Sequence, residues 1–400
     1  LHHFPFLEDS LKLKTHNTNK VYMKIKKILL SPQEFKESLS GIEVAMAMKK
    51  GIRNVDKNVT IDLCPVADGG DGTLQTLVDI TEGELIKQKV HNPLGKIIDS
   101  EWGKLGDNKT AVIEMAKASG LALLNENEKD PMKTSTYGTG ELFRSALDHG
   151  IRDFIIGIGG SATNDGGAGF ASALGAKLLD SNNDIVIPSG ESVGKISHID
   201  TSGLDKRLQE VKVMVACDVN NPLCGKNGAS NIFGPQKGAN EQKIKILDKS
   251  LRHWAKVIKD QMNKDILNVP GSGAAGGLGA GLMAFTDAEL SSGADIVLDY
   301  LNYEKKLEGV DLVIVGEGQT DKSTQFNKSP IAVSLRAKKY NIPVIVISGS
   351  LGKGYNELEN MGIDAFFSIV NGPMDLQYAI NNAFKLIETT TQEIYKSISL

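Results

Sequence analysis

Asp68 and Asp71 flank adjacent glycines in the run PVADGGDGT at 65–73. The pair Gly69-Gly70 lets a backbone turn tightly with its N–H groups exposed, so one loop can offer both donors and carboxylates. A second run, GIGGSATNDGGAG at 157–169, places six glycines in thirteen positions. Each glycine inside a regular element costs about 1 kcal/mol relative to alanine, and one turn does not need six. Backbone N–H groups at a helix N-terminus readily take a phosphate or carboxylate. The run therefore predicts a ligand loop with Gly159, Gly160, Ser161, Asn164, Gly166 and Gly167 near an anion and the Asp165 carboxylate beside it. Tight helix–strand packing would account for two or three of the six glycines.

Two further segments carry the same signature more weakly. In GSGAAGGLGAGL at 271–282, Gly276, Gly277 and Gly279 are expected to touch ligand, although small residues at helical spacing also let two helices approach closely. In VGEGQTDKSTQFNKSP at 315–330, Glu317 and Asp321 flank Gly318, and carboxylates at a sheet's edge suit Mg²⁺. Lys36 and Asp218 each follow a predicted strand, which lifts them above an ordinary surface charge.

The absences narrow the chemistry. No G-x-x-x-x-G-K-[ST] occurs, since SGSLGKG at 348–354 ends without the hydroxyl, and GGSAT at 159–163 lacks the second glycine of a nucleophile elbow. The seven histidines avoid all four loops, and Cys64, Cys217 and Cys224 are never spaced as C-x-x-C. The 400 residues carry 45 Lys+Arg against 49 Asp+Glu, so no basic field awaits nucleic acid. No apolar run is long enough for a membrane-spanning helix. The chain reads as a soluble cytoplasmic protein with no nucleic-acid or membrane partner.

The elements that must position these loops alternate. KIKKILL (24–30), a helix over 41–52 and NVTIDLC (58–64) open the chain as β-α-β, and strands at 310–315, 342–348 and 364–370 with two helices close it. Both ends read as one Rossmann-like, doubly wound parallel sheet, making the chain an α/β protein. Between them lie the strand pair ELIKQKV and KIIDSEW around HNPLG, three more strands and a long helix marked by Leu247, Leu251 and Trp254. That mixture predicts a second α/β domain with a mixed sheet inserted into the first. Its expected span is 71–294, with 23–70 plus 295–400 forming the discontinuous domain and 1–22 an extension or expression remnant.

Glycine loops with scattered acids and few histidines match phosphoryl transfer, which needs backbone donors for phosphates, carboxylates for metal and a cation for developing charge. A second class stays open, because Gly157-Ile158-Gly159-Gly160-Ser161-Ala162 fits G-x-G-x-x-A and Asp180 follows at the spacing of a ribose-binding acid in an NAD-dependent dehydrogenase. A nucleotide-sensing regulator without catalysis is a third.

PVADGGDGT, TSTYGTGEL, GIGGSATNDGGAG, ACDVNNPL with FGPQKGA, GAAGGLGAGL, GEGQTD and SIVNGPM, in that order, resemble the bacterial glycerate kinases from about Met23 to the C-terminus. The resemblance implies ATP-dependent phosphorylation of D-glycerate to 2-phosphoglycerate with Mg²⁺, by in-line transfer in a cleft between two domains. On that reading the expected catalytic residues are Lys36, Asp68, Asp165 and Asp321 and the expected metal ligands Glu317 and Asp218, while the division of metal binding and hydroxyl orientation among Asp68, Asp165, Glu317 and Asp321 stays open. Nucleotide or substrate would lie on Gly69, Gly70, Gly159, Gly160, Ser161, Asn164, Gly166, Gly167, Gly276, Gly277 and Gly279. A homodimer is an admissible assembly. The chain departs from the family pattern at Gln33, where Asp is usual, at Glu37 and Asn327, where Gly is usual, and at Gln319, where Arg is usual.

Overall fold

The computed structural model describes residues 25–325 and 328–399; the extension at 1–22 and the departure at Asn327 lie outside them. The strands are β1 (Lys27–Pro32), β2 (Thr60–Leu63), β3 (Glu84–His91), β4 (Ile97–Lys104), β5 (Thr110–Glu114), β6 (Asp153–Gly157), β7 (Lys177–Leu179), β8 (His198–Asp200), β9 (Lys212–Ala216), β10 (Glu289–Ser291), β11 (Leu312–Thr320), β12 (Val344–Leu351) and β13 (Ala365–Ser368). They form two α/β domains. One sheet is parallel throughout in the order β13-β12-β11-β1-β2, and the second is mixed in the order β10-β9-β6-β5-β4-β3. In the second sheet β3–β4 and β4–β5 are antiparallel and the remaining pairs parallel.

Strand residues alternate between the faces of a sheet, and the five-stranded sheet shows why its strands are so apolar. Ile28 and Leu30 of β1, with Leu312 and Ile314 of β11, enter a core shared with helices Gly41–Arg53 and Ala383–Ile398. Leu29, Val313 and Val315 point the other way, into a core with helices Gly293–Tyr300 and Ser329–Lys338. Both faces are covered, so continuous aliphatic runs are required. The second core also takes in Val112, Ile155 and Ala216 of the mixed sheet, so the two domains share apolar packing.

Helix Gly41–Arg53 begins where the sequence directs it. Ser40 accepts from the Glu43 N–H at 3.4 Å while the Glu43 carboxylate accepts from the Ser40 N–H at 2.9 Å, a reciprocal cap. The HNPLG turn between β3 and β4 is closed by Asn92, whose side-chain oxygen accepts from Leu94 and Lys96 N–H groups. One element is longer than its apolar run predicts: β11 continues through Gly316–Thr320 because Glu317, Gln319 and Thr320 still pair with Ser348, Ser350 and Leu351 of β12. Residues 316–320 of the segment expected as a loop are therefore strand.

Candidate active site

The carboxyl ends of both sheets face one cleft of about 530 Å³. Lys36 comes from the loop after β1, and Asp68–Asp71 from the loop after β2. Gly159–Ser161 follow β6, Cys217–Val219 follow β9, and Ser323 and Lys328 follow β11. Strand ends of an open α/β sheet are where its ligands bind; here two sheets present them to one space.

Local structure fixes the first two loops. Phe35, only 4% exposed, is bonded to Leu39 through both backbone groups, so the segment closes on itself and turns Lys36 outward. Glu37 sits at φ 63°, in the left-handed region. That conformation explains the glycine usual at this position, and a β-carbon there costs about 1 kcal/mol. In the next loop, Asp68 accepts from the Gly70 N–H at 3.1 Å. Gly69, at φ 82°, passes so close to Ala216 and Gly293 that a side chain would overlap both.

Acids crowd the cleft and the layer behind its wall. Asp218 accepts from the Gly293 N–H at 3.1 Å, and desolvation, then the charge of Asp68, raises its pKa to about 6. Glu317 is 5% exposed; burial raises it to about 7 despite the Thr320 and Thr324 hydroxyls that donate to it. Glu34 is raised by burial, with Lys36 opposing and Asp68 and Asp71 adding. A concentration of carboxylates that push one another toward protonation is an environment for a hard cation. Among the described residues no three His, Cys, Asp or Glu side chains converge to hold a metal ion unaided. A divalent cation held by these carboxylates would need further ligands from outside the protein.

The structure brings Lys36, Asp68, Gly69, Gly70, Gly159, Gly160, Ser161 and Asp218 to this one cleft. It does not bring all the expected residues there. Asp165 has no exposure, and its carboxylate accepts from the backbone N–H groups of Thr136, Gly167 and Gly169 and from the Thr136 and Ser135 hydroxyls. This buried acid ties the glycine loop to helix Tyr137–Asp148. Asn164 is equally buried and donates to Ser230 at 3.1 Å. Gly166, Gly167, Gly276, Gly277 and Gly279 meet protein instead of open space: Gly166 faces Trp254, Gly167 faces Gly281, and Gly276 lies against the Thr163 carbonyl. Gly277 approaches Gly166, and Gly279 the Gly271 carbonyl. Asp321 accepts from the Ser323 N–H at 2.7 Å and the Gln319 amide at 3.0 Å, bonds that hold it below the ordinary carboxylate range. Glu317 stands behind Thr320 and Thr324 and off the cleft wall.

Sequence reasoning missed several groups. Glu34 and Lys328 carry no glycine signature, yet both face the acids of the cleft. Lys237, within FGPQKGA, is 1% exposed and donates at 2.7 Å both to the Ser161 hydroxyl and to the Thr163 carbonyl. Burial lowers its pKa to about 7, and Asp165 partly restores the charge. Only proximity to proline and glycine marked that lysine in the sequence. The dehydrogenase pattern dissolves on inspection: the helix after β6 starts only at Ala168, and Asp180 accepts from the Asn182 and Asp184 N–H groups in a polar turn. All three cysteines are free, and burial pushes the Cys64 and Cys224 thiols to about 12, far from reactive.

The model of the glycerate kinase family matches residues 28–399. Glycerate 2-kinase of Escherichia coli (strain K12) is 48% identical over 374 residues, covering 94% of this chain and 98% of that protein. Glycerate kinase of Halalkalibacterium halodurans is 47% identical over 367 residues, covering 92% and 97%. A crystal structure of a candidate glycerate kinase 2 from Salmonella typhimurium LT2 superposes with a TM-score of 0.87 at 45% identity, covering 94% and 98%.

Proposed function

The chain belongs to the glycerate kinase family, and from that premise we propose that it transfers the γ-phosphoryl group of ATP to a hydroxyl of D-glycerate, forming 2-phosphoglycerate. The observation that carries this reading is the convergence of Lys36, Asp68, Asp218 and the Gly159–Ser161 loop on one cleft between two sheet edges. Phosphoryl transfer leaves little covalent work to the protein and asks for positioning and charge stabilisation. Lys36 and Lys328 offset charge on the transferred group. Gly159 and Gly160, which leave the cleft floor without side chains, allow an anion to approach the backbone. Asp68 orients the attacking hydroxyl and takes its proton. Asp218 would be the residue that holds Mg²⁺, and the ion when bound would neutralise charge on the nucleotide phosphates.

Asp165 and Asp321 act in this scheme as positioning residues, the first beneath the glycine loop and the second at the turn before Lys328. We place the domain boundaries at 23–70 plus 295–400 and 71–294, supported by the sheet to which each strand belongs. A cytoplasmic location is supported by the three free thiols and the demand for ATP. Among the described residues no helix is long and apolar enough to cross a membrane. Gel filtration with light scattering tests for a homodimer.

The deciding experiment incubates the protein with ATP, Mg²⁺ and D-glycerate and identifies the product by ³¹P NMR. 2-Phosphoglycerate is expected. Formation of 3-phosphoglycerate, or nucleotide turnover without transfer to glycerate, would overturn the assignment.

A further inference from the structure

A second cavity of about 370 Å³ opens at the carboxyl edge of the five-stranded sheet. Its walls are mainly apolar, although Glu37 and Asp375 also line it. Phe35, Ile369, Met374, Leu376 and Ile380 line it, and Gly318 and Gly349 form its sheet side. Those two glycines come from neighbouring strands β11 and β12, packed so closely that a side chain at Gly349 would overlap the Gly318 carbonyl. The cavity is thus a slot bounded by bare backbone on one side and aliphatic groups on the other. Its rim leaves apolar surface in water: Leu376 is 75% exposed and Val370 39%.

Lys36 lines both this slot and the acidic cleft, so the two spaces meet at one cation. They meet at the topological switch point of the sheet, where β1 is flanked by β2 on one side and β11 on the other. Crevices at such points receive nucleotides. The two spaces also divide the chemistry of ATP between them. A heterocycle gains from an apolar, flat-walled slot and little from a cleft of carboxylates, whereas a phosphate chain needs the cations and the metal-binding acids. We propose that the slot between the β11–β12 edge and helix Leu376–Asn381 binds the base of the nucleotide, with the phosphates running past Lys36 into the cleft. Glycerate then occupies the opposite side, beneath Gly159–Ser161. This assignment rests on the kinase reading above and adds which wall takes which substrate.

The test fills the slot and trims its rim in the full-length protein. Ala379→Phe, from the helix wall, should raise KM for ATP about tenfold or more while KM for glycerate stays within about twofold. Calorimetry with a non-hydrolysable ATP analogue should show the same weakening, and competition by inorganic tripolyphosphate, which has no base, should not change. Leu376→Ala, at an exposed position that the fold does not need, should raise KM for ATP about threefold. Unchanged ATP-analogue affinity in both variants, or equal weakening of tripolyphosphate, overturns the base assignment while leaving the kinase reading intact. Loss of analogue binding in the variants of a protein that fails to phosphorylate glycerate would sink the kinase reading and keep the slot.

Discussion

At Gly159 an added β-carbon would meet nothing within 4 Å, whereas at Gly277 it would fall 2.8 Å from both the Gly166 Cα and the Leu223 side chain. The two positions belong to segments with six glycines each, yet their surroundings are opposite. Gly159 leaves a stretch of the cleft wall bare. Gly166, Gly167, Gly276, Gly277 and Gly281 let the chain at 163–167 lie directly against the chain at 271–281, where Gly167 and Gly281 approach to 2.7 Å by the same measure. Trp254 seals this contact by donating to the Gly166 carbonyl at 3.1 Å. Glycine enrichment thus marks close approach of the backbone to something, and only the third dimension says whether that partner is a ligand or another segment of the same chain.

The contrast can be broken most forcefully at its acids. Asp68→Asn and Asp218→Asn face the cleft and should each lower kcat by about 10²–10⁴-fold with a melting temperature near the parent's; near-normal turnover in both would remove the cleft as the reaction centre. Among the glycines, Gly167→Ala and Gly277→Ala combine a left-handed φ, 74° and 90°, with backbone overlap. Denaturant unfolding should show each losing about 4 kcal/mol. Gly159→Ala should leave unfolding within about 0.5 kcal/mol and reduce kcat/KM about tenfold. If the glycine pairs exchanged these behaviours, the division drawn above would fail.

Glu317 sharpens the comparison from the other direction. Its folded pKa of about 7 lies above the ordinary 4.5, so the folded state holds a proton that the unfolded chain has released between those values. Stability conferred by the protonated form is complete below about pH 4.5 and lost as pH rises through 7. Glu317→Gln, which keeps an oxygen for the Thr320 and Thr324 hydroxyls, should therefore match the parent at pH 4.5 and exceed it by up to about 3 kcal/mol at pH 8 in Mg²⁺-free buffer. A parent whose stability is flat across that range would remove the burial argument. The smallest effect is expected at Glu37→Gly, which relieves the left-handed φ of 63° and should stabilise by about 0.5 kcal/mol, offset in part by a freer unfolded chain.

By itself the sequence determined the layer architecture, the order of the longer strands and helices, and the four stretches in which backbone had to come close to something; the short strands Lys177–Leu179, His198–Asp200 and Glu289–Ser291 and helix Gly293–Tyr300 were not legible in it. Those follow from periodicity and from the cost of glycine, both local properties of a chain. That Lys36, Asp68 and Asp218 would lie in loops after strands was legible for the same reason, and those loops do line one cleft. The partners of those residues were decided only on folding. Asp165 and Asp68 sit in similar glycine-flanked contexts, but one is sealed under helix Tyr137–Asp148 and the other opens to the cleft. Glu34, Lys328 and Lys237 become neighbours of the site only when two sheets turn their carboxyl ends to the same space. Burial and electrostatic coupling depend on residues hundreds of positions apart, and no local pattern encodes which of them will meet.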